Sequence, residues 1–508
     1  MKESNLSLLH DRVVNYVDRK PKKSSESIGM FFNTISDTMY FFDSGTGKVF
    51  TGEKKYLEFL NRFINEKNLE KVLEECKLSE EELKEFEQYI IEEEPLLKGL
   101  TGEALYSKSS LETDLEEISK GCQQIVLEVT GACNLRCKYC IFGSKKKRIR
   151  DFNTKIMSET TILKSLNYMK DHGENTVYIT FYGGEPLLAF DKIKFAIEKS
   201  LELMPEKEIY FSFTTNLTLL TKEIVEYLSK LKNMSLLCSL DGPKDIHDLY
   251  RVDMHGDGTH DKIIKNLELL KKAQKENKKF SVNFNCVYMP PYSIEKLEKI
   301  DLYFENLLKD FDGSNYSITY PTEETIPEDI AKQYELSDRS LIQWIEKKVM
   351  SEENLDNFKC KGIIDYIMPV HERVITQIAS PVLPMNGCCT PGARRLYVNT
   401  DGEYYVCERI NKSPAIGNID TGINIDIITE KYYKDYSDKS IEHCANCWAA
   451  KMCPVCYADR MNEEGISEKA HDNCESMRNN IRNQFSLYYS VLEKNPEKLS
   501  VLNNSITV

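Results

Sequence analysis

The chain has no uninterrupted apolar run long enough to span a bilayer. Its opening stretch, MKESNLSLLHDRVVNYVDRK, carries charges throughout and no apolar core segment, so no signal peptide is expected and the expected location is the cytoplasm. A basic excess is missing too. With 81 acidic against 67 basic residues the formal net charge is −14, which argues against general nucleic-acid binding. The expected partners therefore include neither nucleic acid nor membrane. No internal repeat or low-complexity tract is present. What remains is a globular composition, 41% hydrophobic and 29% charged, on 508 residues, room for about three domains.

Cysteine is abundant. There are 16, and eight of them fall between Cys388 and Cys474. In a reducing compartment a disulfide framework is not expected, and clustered cysteines bind metal or do redox work.

Residues 1–27 read as a polar arm. Within 28–95, MFFNTIS, TMYFFD and KVFT read as short strands, with DSGTG as a turn. Three helical stretches follow, 55–64, 69–76 and 79–91, the last opening on the capping-box spacing Ser79 to Glu82. This is a small α+β module, and 96–122 reads as a linker. From Gln123 apolar strands (124–130, 176–182, 208–215, 234–240, 280–289, 315–321) alternate with helices (157–171, 191–204, 221–232, 260–275, 293–308). Six strands with helices between them imply parallel βαβ units, a partial (β/α)6 barrel over 123–325 with chemistry at the C-terminal strand ends. A helical bridge (326–387), a cysteine-dense part (388–478) and a helical tail (479–508) complete the division.

Two motifs carry the chemistry. Cys133, Cys137 and Cys140 sit on one loop directly after the first barrel strand. Three thiolates at that spacing suit one face of an iron–sulfur cube with one iron left open; a three-cysteine zinc site or reduced core cysteines are the alternatives. The next strand ends in Tyr182-Gly183-Gly184-Glu185-Pro186, where two glycines allow close backbone approach. In these positions the motifs make the chain resemble the radical S-adenosylmethionine (SAM) enzymes, an α/β family. The resemblance implies that Cys133, Cys137 and Cys140 hold a 4Fe–4S cluster, that SAM chelates the open iron, and that Gly183, Gly184 and Glu185 receive its amino group. It extends to Ser239-Leu-Asp241-Gly242-Pro243 with His247 and Arg251, giving Ser239 the ribose and Arg251 the carboxylate. Tyr139 matches the position that packs near adenine, and Thr214-Thr215-Asn216 would support the site from behind.

The C-terminal cysteines, Cys389, Cys407, Cys444-x2-Cys447-x5-Cys453-x2-Cys456 and Cys474, are too many for one zinc ion. They resemble the SPASM extension, which implies two auxiliary 4Fe–4S clusters and three clusters in all. The match gives Cys389, Cys407 and Cys456 to the first and Cys444, Cys447, Cys453 and Cys474 to the second. Cys388 and Cys360 are candidates for a fourth ligand of the first. The loop before Cys456 is one residue shorter than the family usually has.

The order of elements in 28–95 is similar to the winged-helix-like precursor-recognition element of ribosomal-peptide maturation systems, which takes a leader peptide as an added strand; a small docking domain is the alternative. Together these resemblances imply a radical SAM maturase that installs thioether crosslinks, of sactipeptide or ranthipeptide type, in a cysteine-containing precursor peptide. A 5′-deoxyadenosyl radical would abstract the hydrogen, with a reductant such as flavodoxin or ferredoxin as partner. The alternative is an anaerobic sulfatase-maturing enzyme, which makes formylglycine; its relatives carry aspartate where this chain has Glu408. A zinc-stabilised, non-enzymatic binding protein is the third reading.

Overall fold

The structure, a computed structural model, describes residues 28–504 apart from 67, 93–96, 98, 100–103, 143–151, 322–324, 335–338, 378–386 and 410–412. The expected arm at 1–27 lies outside the described residues.

The six expected barrel strands form: β4 (Gln124–Thr130), β5 (Thr176–Gly183), β6 (Glu208–Thr215), β7 (Met234–Ser239), β8 (Phe280–Val287) and β9 (Tyr316–Thr319), each parallel to the next. Period-two alternation sets their faces. On β5, Val177, Ile179 and Phe181 are buried toward the helices, while Thr176, Tyr178, Thr180 and Tyr182 are more accessible on the inner face. The crossover helices present matching stripes. The one between β4 and β5 (Glu159–His172) buries Ile162, Leu166 and Met169 and is capped by Ser158, whose side chain accepts from the Thr161 amide. Residues 326–371 are mainly helical, with helices Glu328–Gln333, Ser340–Val349 and Lys361–His371.

The sheet does not stop at six strands. β10 (Arg395–Val398) pairs parallel with β4, Arg395 opposite Gln124, and β11 (Glu403–Tyr405), β12 (Gly417–Asn418) and β13 (Gly422–Ile423) continue it antiparallel. The cysteine-dense part thus shares one ten-stranded sheet with the barrel. The sheet thus takes strands from both sides of the expected boundary at 387/388, a continuity that a four-residue strand has too little periodicity to signal. Two further stretches carry helices. The expected linker contains a capped helix, Lys108–Lys120. The expected cut at 478/479 falls inside one helix, Cys474–Lys494, which joins Cys474 to the tail without interruption.

The N-terminal module has the expected order, β1 (Gly29–Asn33), β2 (Met39–Asp43), β3 (Val49–Phe50), then helices Lys54–Glu66, Leu69–Cys76 and Glu80–Glu92. Its antiparallel sheet has two apolar faces. Phe31, Phe41 and Phe50 pack with the module's own helices, whereas Met30, Phe32 and Phe42 belong to the main core. Phe32 meets Phe485 at 5.5 Å between ring centroids, and Tyr40 meets Tyr489 at 4.9 Å, both on helix Cys474–Lys494. The Ile35 amide donates to Ser490 Oγ at 2.9 Å. On the other side, Lys451 Nζ donates to the Gly45 carbonyl and Phe42 faces Trp448. The module is built into the body rather than appended to it. No helix among the described residues is long and apolar enough to cross a membrane.

Candidate active site and cluster sites

The loop bearing Cys133, Cys137 and Cys140 leaves the C-terminal end of β4 and is pinned from three sides. From β5, the Gly184 amide donates to the Thr130 carbonyl at 3.0 Å and the Glu185 amide to the Ala132 carbonyl at 2.8 Å. From 250–252, the Val252 and Tyr250 carbonyls accept from the Arg136 and Lys138 amides at 2.8 and 2.9 Å. From β6, Asn216 Nδ2 donates to Asn134 Oδ1 at 3.0 Å, and Asn134 Nδ2 donates to Thr218 Oγ1 at 2.7 Å. Both glycines are sterically required. A Cβ on Gly183, at φ +145°, would lie 2.0 Å from the Thr130 carbonyl oxygen, and one on Gly184 would lie 2.1 Å from that of Ala132.

The three thiols are close enough to feel one another's charge, and Arg251 acts on all of them. Burial pushes Cys133 up to about 11 and Cys140 up to about 12. An iron cluster bound there would displace the protons, as metals do from thiols.

The expected SAM-contact residues lie around this loop, with two revisions. Glu185 is already engaged: its Oε1 accepts from Thr215 Oγ1 at 2.8 Å and from the Leu187 amide at 3.1 Å, and its Oε2 accepts from the Asn216 amide at 2.7 Å. It braces β5 against β6 and retains limited capacity for an ammonium group. Tyr139 is buried with its hydroxyl committed: it donates to Asp241 Oδ2 at 2.5 Å and accepts from Arg251 Nη1 at 2.7 Å. Arg251 is buried, 3.9 Å from Asp241 Oδ1, and its Nε has no hydrogen-bond partner among the described residues. That orphaned donor suits an anionic group such as a SAM carboxylate. Ser239 ends β7 beside Asn285 on β8. His247 accepts from the Asp241 amide at Nδ1, 3.2 Å away, and burial pulls it down to about 2, so it is a neutral support. Sequence reasoning assigned no role to Asp241; its place in Ser239–Pro243 was the available signal.

Cys444, Cys447, Cys453 and Cys474 line a cavity of about 270 Å³ together with Arg460, Arg478 and His471. Among the described residues no three His, Cys, Asp or Glu side chains converge on a single metal ion. Cys456 feels both Cys388 and Cys389. Cys360 does not belong with them: it bridges to Tyr316 beside β9 in the barrel core. Cys388 Sγ instead donates to the Tyr436 hydroxyl at 3.6 Å. Cys407 and Glu408 follow β11. Arg395 Nη1 holds the Glu408 carboxylate at 3.1 Å while Arg395 Nε donates to Gln124 Oε1 at 2.8 Å. Gln124 Nε2 donates to Thr180 Oγ1, which contacts Ser212 Oγ, both at 2.8 Å. This polar chain lines the end of the barrel opposite the Cys133 loop.

Residues 127–303 match the family described as the radical SAM superfamily, and residues 388–448 match SPASM, an iron–sulfur cluster-binding domain. A cysteine-type anaerobic sulfatase-maturating enzyme of Clostridium novyi is 24% identical over 76% of this chain and 98% of its own length. The radical SAM cyclopropyl synthase TigE of Paramaledivibacter caminithermalis is 30% identical over 40% of this chain and 41% of its own. Among solved structures, native anSMEcpe with bound AdoMet has a TM-score of 0.55 at 22% identity, covering 75% of this chain and all of that one.

Proposed function

With a radical SAM domain followed by a SPASM domain the chain is an enzyme that uses SAM and 4Fe–4S clusters, a radical SAM maturase of SPASM type; we propose that its substrate is a polypeptide, modified at a cysteine residue. Oxidation of that cysteine to formylglycine is the reading we place first. The observation that carries it is that this chain spans 98% and 86% of two cysteine-type sulfatase-maturating relatives. Sulfur would leave as sulfide and water would supply the aldehyde oxygen, a two-electron oxidation.

In this reading Cys133, Cys137 and Cys140 hold the cluster that binds SAM. Cys389, Cys407 and Cys456 hold one auxiliary cluster, and Cys444, Cys447, Cys453 and Cys474 another. Bound at the first site, the cluster and SAM would supply the radical chemistry that abstracts hydrogen. The protein's part is position and electrostatics. Arg251 Nε would receive the SAM carboxylate, Gly183 and Gly184 would give the backbone clearance for its amino group, Ser239 would meet the ribose, and Tyr139 holds Arg251 in place. A reductant such as flavodoxin or ferredoxin supplies electrons.

Thioether formation is the second reading, and two observations favour it. Glu408 stands where sulfatase-maturing enzymes carry aspartate, and Arg395 engages both of its carboxylate oxygens. The N-terminal module also offers β3 as a sheet edge for a leader peptide. Anaerobic turnover of a cysteine-containing sulfatase peptide, and of any cysteine-rich precursor encoded beside the gene, tests both. Loss of sulfur with gain of an aldehyde supports the first reading. Loss of two hydrogens with sulfur retained supports the second. Absence of SAM cleavage overturns both.

A further inference from the structure

Arg460 ends the short helix Tyr457–Arg460 and is buried in the wall of the cavity lined by Cys444, Cys447, Cys453 and Cys474. Among the described residues no carboxylate lies within ion-pair distance of it. Its Nη1 donates to the Tyr436 hydroxyl at 3.2 Å and lies 3.9 Å from Cys444 Sγ, and its guanidinium lies 5.8 Å from the Tyr436 ring centre. Its Nε is buried with no hydrogen-bond partner among the described residues. A guanidinium cannot shed its charge in a protein, and a buried one without a counter-ion is costly. A buried, permanently charged fork facing four thiols calls for an anion where those thiols converge.

We propose that Arg460 is the built-in counter-cation of the cluster held by Cys444, Cys447, Cys453 and Cys474, donating to Cys444 sulfur and setting that cluster's reduction potential. A four-thiolate cluster carries net negative charge, and reduction adds one more. A fixed cation at its edge stabilises the reduced state more than the oxidised one, so it raises the potential. Arg478 also reaches this set, at Cys447, but it is more exposed and is paired with Glu475 at the cavity rim. The role is one of tuning: Arg460 makes this cluster a better electron acceptor than it would be without the cation, suited to taking up the electron that substrate oxidation releases.

The inference rests on the ligand assignment proposed above, and two measurements separate them. In the holoenzyme, Cys444→Ala with Cys447→Ala should lower iron content by one cluster whatever Arg460 does; unchanged iron would refute the ligand set. Potentiometry followed by electron paramagnetic resonance, in a Cys133→Ala, Cys137→Ala, Cys140→Ala background, then reads the auxiliary clusters alone. Arg460→Met should change the oxidised-to-reduced ratio of one cluster about tenfold at fixed potential, a downward shift of about 59 mV for a one-electron couple, and leave the other cluster unmoved. Arg460→Lys should recover part of the shift. An unmoved midpoint in Arg460→Met with full iron would overturn the proposal. If Arg460→Met loses the cluster, Arg460→Lys decides: retention with a near-parent potential supports the counter-cation, and equal loss assigns Arg460 to packing alone.

Discussion

The hydroxyl of Tyr139 stands 2.5 Å from Asp241 Oδ2 and is the link through which Asp241 and Arg251 are joined. Asp241 and Arg251 are themselves 3.9 Å apart. The phenol thus holds the cation close to a carboxylate without a close ion pair, while Arg251 Nε keeps no hydrogen-bond partner among the described residues. Tyr139→Phe removes that spacer. The expected result is a direct Asp241–Arg251 pair and SAM affinity lower by about tenfold, on the order of 1–2 kcal/mol for a lost buried hydrogen bond to a charged group. Equilibrium binding of SAM to the holoenzyme measures it; unchanged affinity would show that the hydroxyl only fills space.

Replacing Cys133, Cys137 and Cys140 together by alanine is expected to abolish reductive SAM cleavage and remove one cluster's iron, leaving the C-terminal iron. Undiminished 5′-deoxyadenosine would remove the basis of the functional reading.

Gly184→Ala tests the close approach of the two strand ends. Its Cβ would sit 2.1 Å from the Ala132 carbonyl oxygen, next to Cys133. The loop must move, and a displacement near 1 Å at a reacting centre costs roughly 100-fold. SAM cleavage should fall by that order while C-terminal iron stays intact.

Deleting the N-terminal module is not expected to leave the rest intact, because Phe32 and Phe42 lie in the main core. Phe42→Ala alone should cost about 3–5 kcal/mol, read as a lowered midpoint of anaerobic unfolding. A gentler probe of peptide binding is Val49→Pro. By the alternation of an antiparallel ladder, Val49 opposite Phe42 is a non-hydrogen-bonded position whose N–H faces the free edge. Precursor affinity should weaken with SAM cleavage unchanged; equal affinity would count against a leader strand at β3.

His247 gives a pH prediction. Its folded pKa lies at about 2, below the ordinary value of 6.5, because burial opposes its charge and Arg251 adds to that. The unfolded chain therefore takes up this proton first as pH falls. Stability is full above about pH 6.5 and declines below it by about 1.4 kcal/mol per pH unit. His247→Gln should flatten the stability profile between about pH 6 and 5; an unchanged slope would assign the decline to other groups.

Much of this was legible in the sequence. The six barrel strands alternate regularly, and the Cys133 loop and Gly183–Glu185 stand at strand ends, so spacing alone placed them together. Chain-distant partners were not legible. Arg395 reaches Gln124 and Glu408 through a four-residue strand without periodicity, and no pattern in the sequence marks Arg460 as buried. Lys108–Lys120 was overlooked because its stripe is narrow, with Ile118 its one deeply buried residue. Cys360 looked like a ligand candidate by residue type, yet it packs beside Tyr316.

The contact between Ile35 and Ser490 joins residues 455 positions apart. At roughly 5–20 residues per second, a ribosome makes Ser490 about 20–90 s after Ile35. Through that interval Phe32 and Phe42 lack Phe485, the ring that both of them meet, so this face of the nascent sheet waits incompletely covered. The helix that completes it starts at Cys474, so the last cysteine of the chain and the closing clamp on the first strand emerge together. Shortening or tagging the C-terminus is therefore an operation on the N-terminal sheet as well, and chains that end before Leu487 should accumulate as insoluble protein.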